Sequence, residues 1–106
     1  MKLYEYSIES YGRKIRIKEV EVEEKEKIYK VKSRGSWRTN IKKAEIGELL
    51  DGYALNMYLP ERDDKRYINE LIKYQERVVD AAQQMLTAAE IKLENYKNLL
   101  EQEAAE

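Results

Sequence analysis

The chain has 106 residues, 42% apolar and 39% charged, the length of one small domain with an unusually ionic surface. It holds no cysteine and no histidine, which excludes a disulfide framework, a thiolate nucleophile, an imidazole general base and the usual nitrogen ligands of zinc. The formal net charge of −1 conceals an asymmetry: residues 1–43 carry thirteen Lys/Arg against seven Asp/Glu (+6), and residues 44–106 carry seven against fourteen (−7).

The first sixty residues read as short strands. Tyr4, Tyr6 and Ile8 alternate with Glu5, Ser7 and Glu9, which predicts a strand from about Leu3 to Ser10 with one apolar face. Tyr11-Gly12-Arg13 reads as a turn. Ile15 and Ile17 resume the alternation, but Val20 and Val22 continue it in the opposite parity, which predicts a bulge at Lys18-Glu19. After the polar stretch Glu23 to Glu26 comes a third strand with Tyr29 and Val31, then an Arg34-Gly35-Ser36 turn and a fourth segment with Trp37, Thr39 and Ile41. Lys42 to Leu50 reads as a helical turn weakened by Gly47. Past the Asp51-Gly52 turn signal, Tyr53, Leu55, Met57 and Leu59 share one parity and predict a last strand, ending at Pro60.

From Asp63 to about Gln102 there is neither Gly nor Pro, and the apolar spacing becomes helical. Asp63 and Asp64 suit the N-cap and first turn. Three heptad rows follow: Ile68, Gln75, Ala82, Ala89, Tyr96; then Leu71, Val78, Met85, Lys92, Leu99; then Ile72, Val79, Leu86, Leu93, Leu100. Only Gln75 and Lys92 interrupt this broad apolar stripe. A helix of about 40 residues spans roughly 60 Å at 1.5 Å per residue, whereas a compact domain of this length is roughly 35 Å across. Its second half therefore needs a cover, and heptad-spaced rows predict a homodimer in which Val78, Val79, Met85, Leu86, Leu93, Tyr96, Leu99 and Leu100 form the interface. Thr87-Ala88-Ala89-Glu90 also fits a capping box, with Leu86 and Ile91 at the staple positions, so a second helix starting there would make a monomer sufficient. No Gly, Asn or Pro precedes Thr87 to end the first helix, which favours continuity.

The stretch Lys27 to Lys43 holds seven basic residues, no acidic one and the only tryptophan. In strand phase, Lys30, Lys32, Arg34, Arg38 and Lys42 have the parity opposite to Tyr29, Val31, Trp37 and Ile41. That places cations on the face turned away from the core, where phosphate, a nucleic-acid backbone or an acidic protein would be held. The alternative is a solvated face whose lysines discourage edge pairing. Lys43 adds charge, and Trp37 or Tyr29 adds a stacking surface, although Trp37 in phase with Ile41 also fits a core position. The loop Ser33 to Ser36 offers backbone amides but lacks the lysine and spacing of a phosphate loop. Nine tyrosines and no phenylalanine suit thin sheets and interfaces, with Tyr4, Tyr6, Tyr29, Tyr53 and Tyr58 expected between sheet and helix.

Glu61, Asp63 and Asp64 are oxygen ligands close in sequence, but two of them are explained by capping. No metal, cofactor or catalytic residue is expected, nor any serine elbow, paired acid and base, or dinucleotide fingerprint. No apolar run nears the roughly 18 residues of a membrane span, and Met1 to Glu5 lacks an apolar signal core. These features lead to the expectation of a cytoplasmic protein, of a host cell or of something that infects it, with no membrane partner.

In its general character, a small domain rich in Lys, Glu, Ile and Tyr with a meander and a terminal helix, the chain resembles accessory proteins encoded by phages and mobile elements of low-GC bacteria. Some of these inhibit host defence by occluding a nucleic-acid channel or sequestering a signalling nucleotide. The resemblance implies a binder rather than an enzyme and transfers no functional residue. The sequence thus predicts an α+β fold: an antiparallel β-meander of four to five short strands over residues 1–60, packed as one domain on a long helix over residues 61–106 that pairs in an oligomer. Its expected function is inhibition or sequestration of a nucleic-acid-binding or nucleotide-signalling component. The alternatives are an acidic helix bearing Glu90, Glu94, Glu101 and Glu103 that mimics nucleic acid, and a purely structural oligomerisation module.

Overall fold

The computed structural model describes residues 1–9, 12–33, 38–50 and 54–105. It is an α+β chain: β1 (Lys2–Glu9), β2 (Lys14–Glu24), β3 (Ile28–Val31), β4 (Asn40–Lys42), a 3-10 turn (Lys43–Glu45), β5 (Met57–Leu59) and helix α1 (Asp64–Ala105). The five strands form one antiparallel sheet in the order β4-β3-β2-β1-β5. The first four strands are the expected meander. The fifth departs from it, crossing to the far edge to pair with β1, Tyr6 opposite Met57 and Tyr4 opposite Leu59.

The bulge expected at Lys18-Glu19 is absent. β1 and β2 pair in unbroken register from Lys2 opposite Glu21 to Glu9 opposite Lys14. The apolar parity switches because the sheet carries a core on each face. Residues paired across an antiparallel ladder lie on the same side, so Leu3, Val20, Val22, Ile41 and Tyr58 share one face, against which Tyr29, Val31, Ile46 and Leu50 pack. Tyr6, Met57 and Leu59 share the other with Tyr67 of α1, joined by Tyr4, Ile15, Ile17, Leu49 and Leu71. Ile15 and Ile17 serve one core, Val20 and Val22 the other. The tyrosines are divided likewise: Tyr4 and Tyr6 lie on the helix side, whereas Tyr29 and Tyr58 face the side covered by Ile46 and Leu50. Tyr53 lies outside the described residues.

The connection after β4 is the expected helical turn, of 3-10 type and confined to Lys43–Glu45. Gly47 follows it with φ +80°, a left-handed conformation that favours glycine. The last strand is shorter than its alternation implies. Leu55 has φ +48°, a left-handed conformation that breaks strand phase, and its carbonyl oxygen accepts a hydrogen bond from the Tyr67 hydroxyl at 2.9 Å. Extended pairing resumes with the Leu50–Asn56 bridge and β5.

α1 begins as its sequence predicts. The Asp63 carboxylate accepts the Arg66 backbone N–H at 3.2 Å, the bond of an N-cap to the third helical residue. Tyr6 joins sheet to helix. Its hydroxyl donates to Asp64 Oδ1 at 2.8 Å and accepts the Asp63 backbone N–H at 2.9 Å, and its ring lies 5.0 Å from that of Tyr67. The helix continues through Thr87 without a break, so the expectation of continuity holds and the backfolded alternative does not. By its contacts the chain divides into residues 1–71, which hold the sheet and the first turns of α1, and residues 72–106, the remainder of the helix. No helix is long and apolar enough to cross a membrane among the described residues.

Tyr6→Phe keeps the ring but leaves the Asp63 N–H and the Asp64 carboxylate without the hydroxyl. The expected loss is about 1–2 kcal/mol of unfolding free energy, read as a lower urea midpoint at unchanged slope.

Candidate binding surfaces

The register of β2, β3 and β4 assigns the basic residues to faces. Lys30 stands opposite Asn40 and Lys42 opposite Ile28, so Lys30 and Lys42 share the face opposite to Tyr29 and Ile41, and Lys32 continues their parity. Lys43 is separated from them. Its ammonium lies 5.5 Å from the centroid of the Tyr29 ring and 2.8 Å from Glu24 Oε1, on the other face. Arg38 pairs with Glu45. Arg34 and Trp37 lie outside the described residues, as do Gly35 and Ser36.

The face is less bare than the acid-free stretch from 27 to 43 implies, because β2 supplies the acids. Glu23 stands opposite Lys30 and forms ion pairs with Lys25 at 2.7 Å and Lys32 at 3.5 Å. Glu21 pairs with the N-terminal ammonium at 3.1 Å, and Glu19 with Lys2 at 3.4 Å. Lys27, Lys30 and Lys42 are exposed and enter no ion pair among the described residues. Lys30 and Lys42 are diagonal neighbours across the β3–β4 ladder, roughly 7–8 Å apart at the backbone, and among the described residues they are the two cations of the predicted set on that face that enter no ion pair.

The ion pairs leave a mark on the carboxylates. The hydrogen bond from Lys25, with the charges of Lys25 and Lys32, holds the Glu23 carboxyl below its ordinary value. At Glu45, partial burial works against ionisation, but the bond from Arg38 and the Lys42 backbone N–H outweigh it and the carboxyl is again lowered. Asp64 is lowered by its bonds from Arg62 and then Tyr6. Burial, followed by the bond to Asp64, raises the Tyr6 hydroxyl, and burial raises that of Tyr67. The Glu5 carboxylate, 3% exposed, accepts the Tyr58 hydroxyl at 2.6 Å inside the first core. Alternation at Tyr4, Tyr6 and Ile8 points away from Glu5; its burial follows only from the core of Leu3, Val20 and Tyr58 on the opposite face, which the change of parity between Ile17 and Val20 signals. No group of three or more acids placed to hold a metal ion occurs among the described residues, and Asp63 and Asp64 are engaged in capping.

The second surface is on α1. The predicted interface residues are open, from Val78 at 42% exposed to Met85 at 75%, with Val79, Leu86, Leu93, Tyr96, Leu99 and Leu100 between these limits. Ile72 at 50% belongs with them. On a heptad wheel the row of Ala82, Ala89 and Tyr96 runs down the middle, flanked by the rows of Val79, Leu86 and Leu93 and of Val78, Met85 and Leu99. The middle is thus narrow where both flanks are large. The acidic residues do not form one face: at 100° per residue Glu90, Glu94 and Glu101 fall within about 40°, while Glu103 lies about 140° from Glu90 in the alanine row.

No protein-family model, curated protein or solved structure matches this chain.

The carboxylate shifts share one sign. Each folded value lies below the unfolded one, so the contribution to stability is complete above the ordinary values, 4.5 for Glu23 and Glu45 and 3.8 for Asp64. It is lost as the pH falls through the folded values. Unfolding midpoints should hold steady from neutrality to about pH 5 and fall below pH 4.5. Arg38→Ala, which frees Glu45, should flatten part of that fall; an unchanged profile would remove Glu45 from the account.

Proposed function

We propose that the chain is a non-enzymatic binding protein whose working form is a homodimer joined through α1, with an anionic ligand or partner taken up on the β3–β4 face. The observation that carries the dimer is the apolar stripe left exposed on an unbroken helix. Burying a Leu-sized side chain stabilises by roughly 1.5–3 kcal/mol and removes roughly 60–120 Å² of apolar surface. The large side chains of the stripe together offer on the order of 800 Å² per chain, the amount a standard interface covers on each partner. Scattered apolar residues on a surface need no explanation, but a contiguous patch of this size marks an interaction site.

The ligand face rests on Lys30 and Lys42, exposed cations without ion pairs among the described residues. Phosphate groups suit such a surface, and two copies of it in one dimer add avidity for a polyanion. The cellular role in keeping with this surface is that of the mobile-element accessory proteins: blocking or sequestering a nucleic-acid-binding or nucleotide-signalling component of the host. The competing nucleic-acid mimic rests on the narrower cluster Glu90, Glu94 and Glu101.

Sedimentation equilibrium at micromolar concentration should give twice the chain mass of 12.7 kDa, and Leu86→Lys with Leu93→Lys should return the chain to monomer. A monomeric wild type defeats the dimer. For the ligand face, single-stranded oligonucleotide binding should weaken with salt, and Lys30→Ala with Lys42→Ala should reduce the log–log salt slope by about 1.5. Binding only to a basic protein, indifferent to these changes, would transfer the function to the acidic cluster.

A further inference from the structure

We infer that the partner covering the α1 stripe is a second copy of the same helix running antiparallel, with the two-fold axis passing between Thr87 and Ala88. This rests on the dimer proposed above and fixes its direction and register. With the row of Ile72, Val79, Leu86, Leu93 and Leu100 as one seam position and that of Gln75, Ala82, Ala89 and Tyr96 as the other, an antiparallel pair sets each row against the other row of its partner. About this axis Leu86 faces the partner's Ala89, Leu93 faces the partner's Ala82, and Val79 faces the partner's Tyr96. Large side chains fill the narrow middle of the opposite helix, so the layers interdigitate at even depth.

The flanks agree. On one side Glu76 comes opposite the partner's Lys97 and Gln83 opposite the partner's Glu90. On the other, Val78 meets the partner's Leu99, and Met85 meets the stem of the partner's Lys92, whose ammonium reaches water at the rim. The lysine in the apolar rows is thus accommodated, and Glu103, which continues the alanine row, falls at the open end of the overlap opposite the partner's Ile72. The competing arrangements fail on charge or volume. Sliding by one heptad sets Glu76 against Glu90 in one direction, and Glu90 against Glu90 with Lys92 against Lys92 in the other. A parallel in-register pair sets Lys92 against Lys97 on both sides and stacks Ala82 on Ala82 and Ala89 on Ala89, leaving voids. The antiparallel overlap spans residues 72–103, all within the unit formed by the later part of the helix.

The chain has no cysteine, so spin labels can be placed singly on the full-length protein. Thr87→Cys and Glu101→Cys occupy the same outward row of α1. In the proposed pair the label–label distance is short at Thr87, whereas at Glu101 the axial separation alone is about 40 Å, from 1.5 Å rise per residue. Equal distances at both positions would overturn the antiparallel direction while leaving a dimer. Absence of dipolar coupling at both positions, with a monomer mass, would overturn the dimer as well. Register is tested separately by charge exchange: Glu76→Lys and Lys97→Glu should each weaken association several-fold, and the double exchange should restore it. Failure of restoration in a folded, dimer-competent protein would overturn the register.

Discussion

The eight-pair register between β1 and β2 is the constraint on which the sheet depends. Because a strand's side chains alternate, a single unbroken ladder fixes which residues face which side over its whole length. Here the ladder carries two cores. Near one end Leu3 and Val20 build the first, and further along Tyr6 and Ile17 build the second. β1 is consequently covered on both faces, in keeping with the burial of Glu5 and Ser7 on the face opposite to Tyr6. That covering explains why β5 pairs with β1: the strand that closes this edge presents Tyr58 to one core and Met57 and Leu59 to the other.

The same ladder sets the electrostatics. The hairpin between β2 and β3 turns so that Glu23 meets Lys30, and acids distant in sequence are interleaved with the basic stretch. Composition counted along the chain registers a stretch without acids, while the folded sheet has mixed sign over much of the same area. This was within reach of the sequence, since a hairpin closing at Lys25 to Lys27 places Glu23 near Lys30 by counting alone. The parity slip at Lys18-Glu19 was legible too, but as a slip. Its interpretation as a bulge fails because alternation within one strand cannot distinguish a kinked ladder with one core from a straight ladder with two.

The helix was the most legible element, and for a physical reason: its period, its cap and its continuity are local properties. Asp63 caps through a residue three positions on, and the absence of Gly and Pro is visible without knowledge of any contact. Tyr6 bonding to Asp63 and Asp64 was not legible, because it joins positions far apart in sequence. The left-handed Leu55 was also hidden. The Leu55 carbonyl bonds to the Tyr67 hydroxyl, twelve positions on, a contact that local propensity does not report.

The division of the chain within α1 separates two sources of helix stability. Up to Leu71 the helix is held by packing within the chain, through Tyr67 and the Tyr6 hydroxyl at its cap. From Ile72 onward its side chains are largely exposed, and what holds it is intrinsic propensity, favourable for the Ala, Glu, Leu and Lys that dominate there but modest in water for a helix standing alone. Association of the exposed stripe would add the missing packing term, and by mass action would make the order of this segment depend on protein concentration while that of the sheet does not. A helix nucleated on a folded sheet has already met the cost of its first turn, so the segment that presents the apolar rows need not be nucleated by association. The proposed pairing would then order side chains more than backbone, which lowers the entropic cost of association.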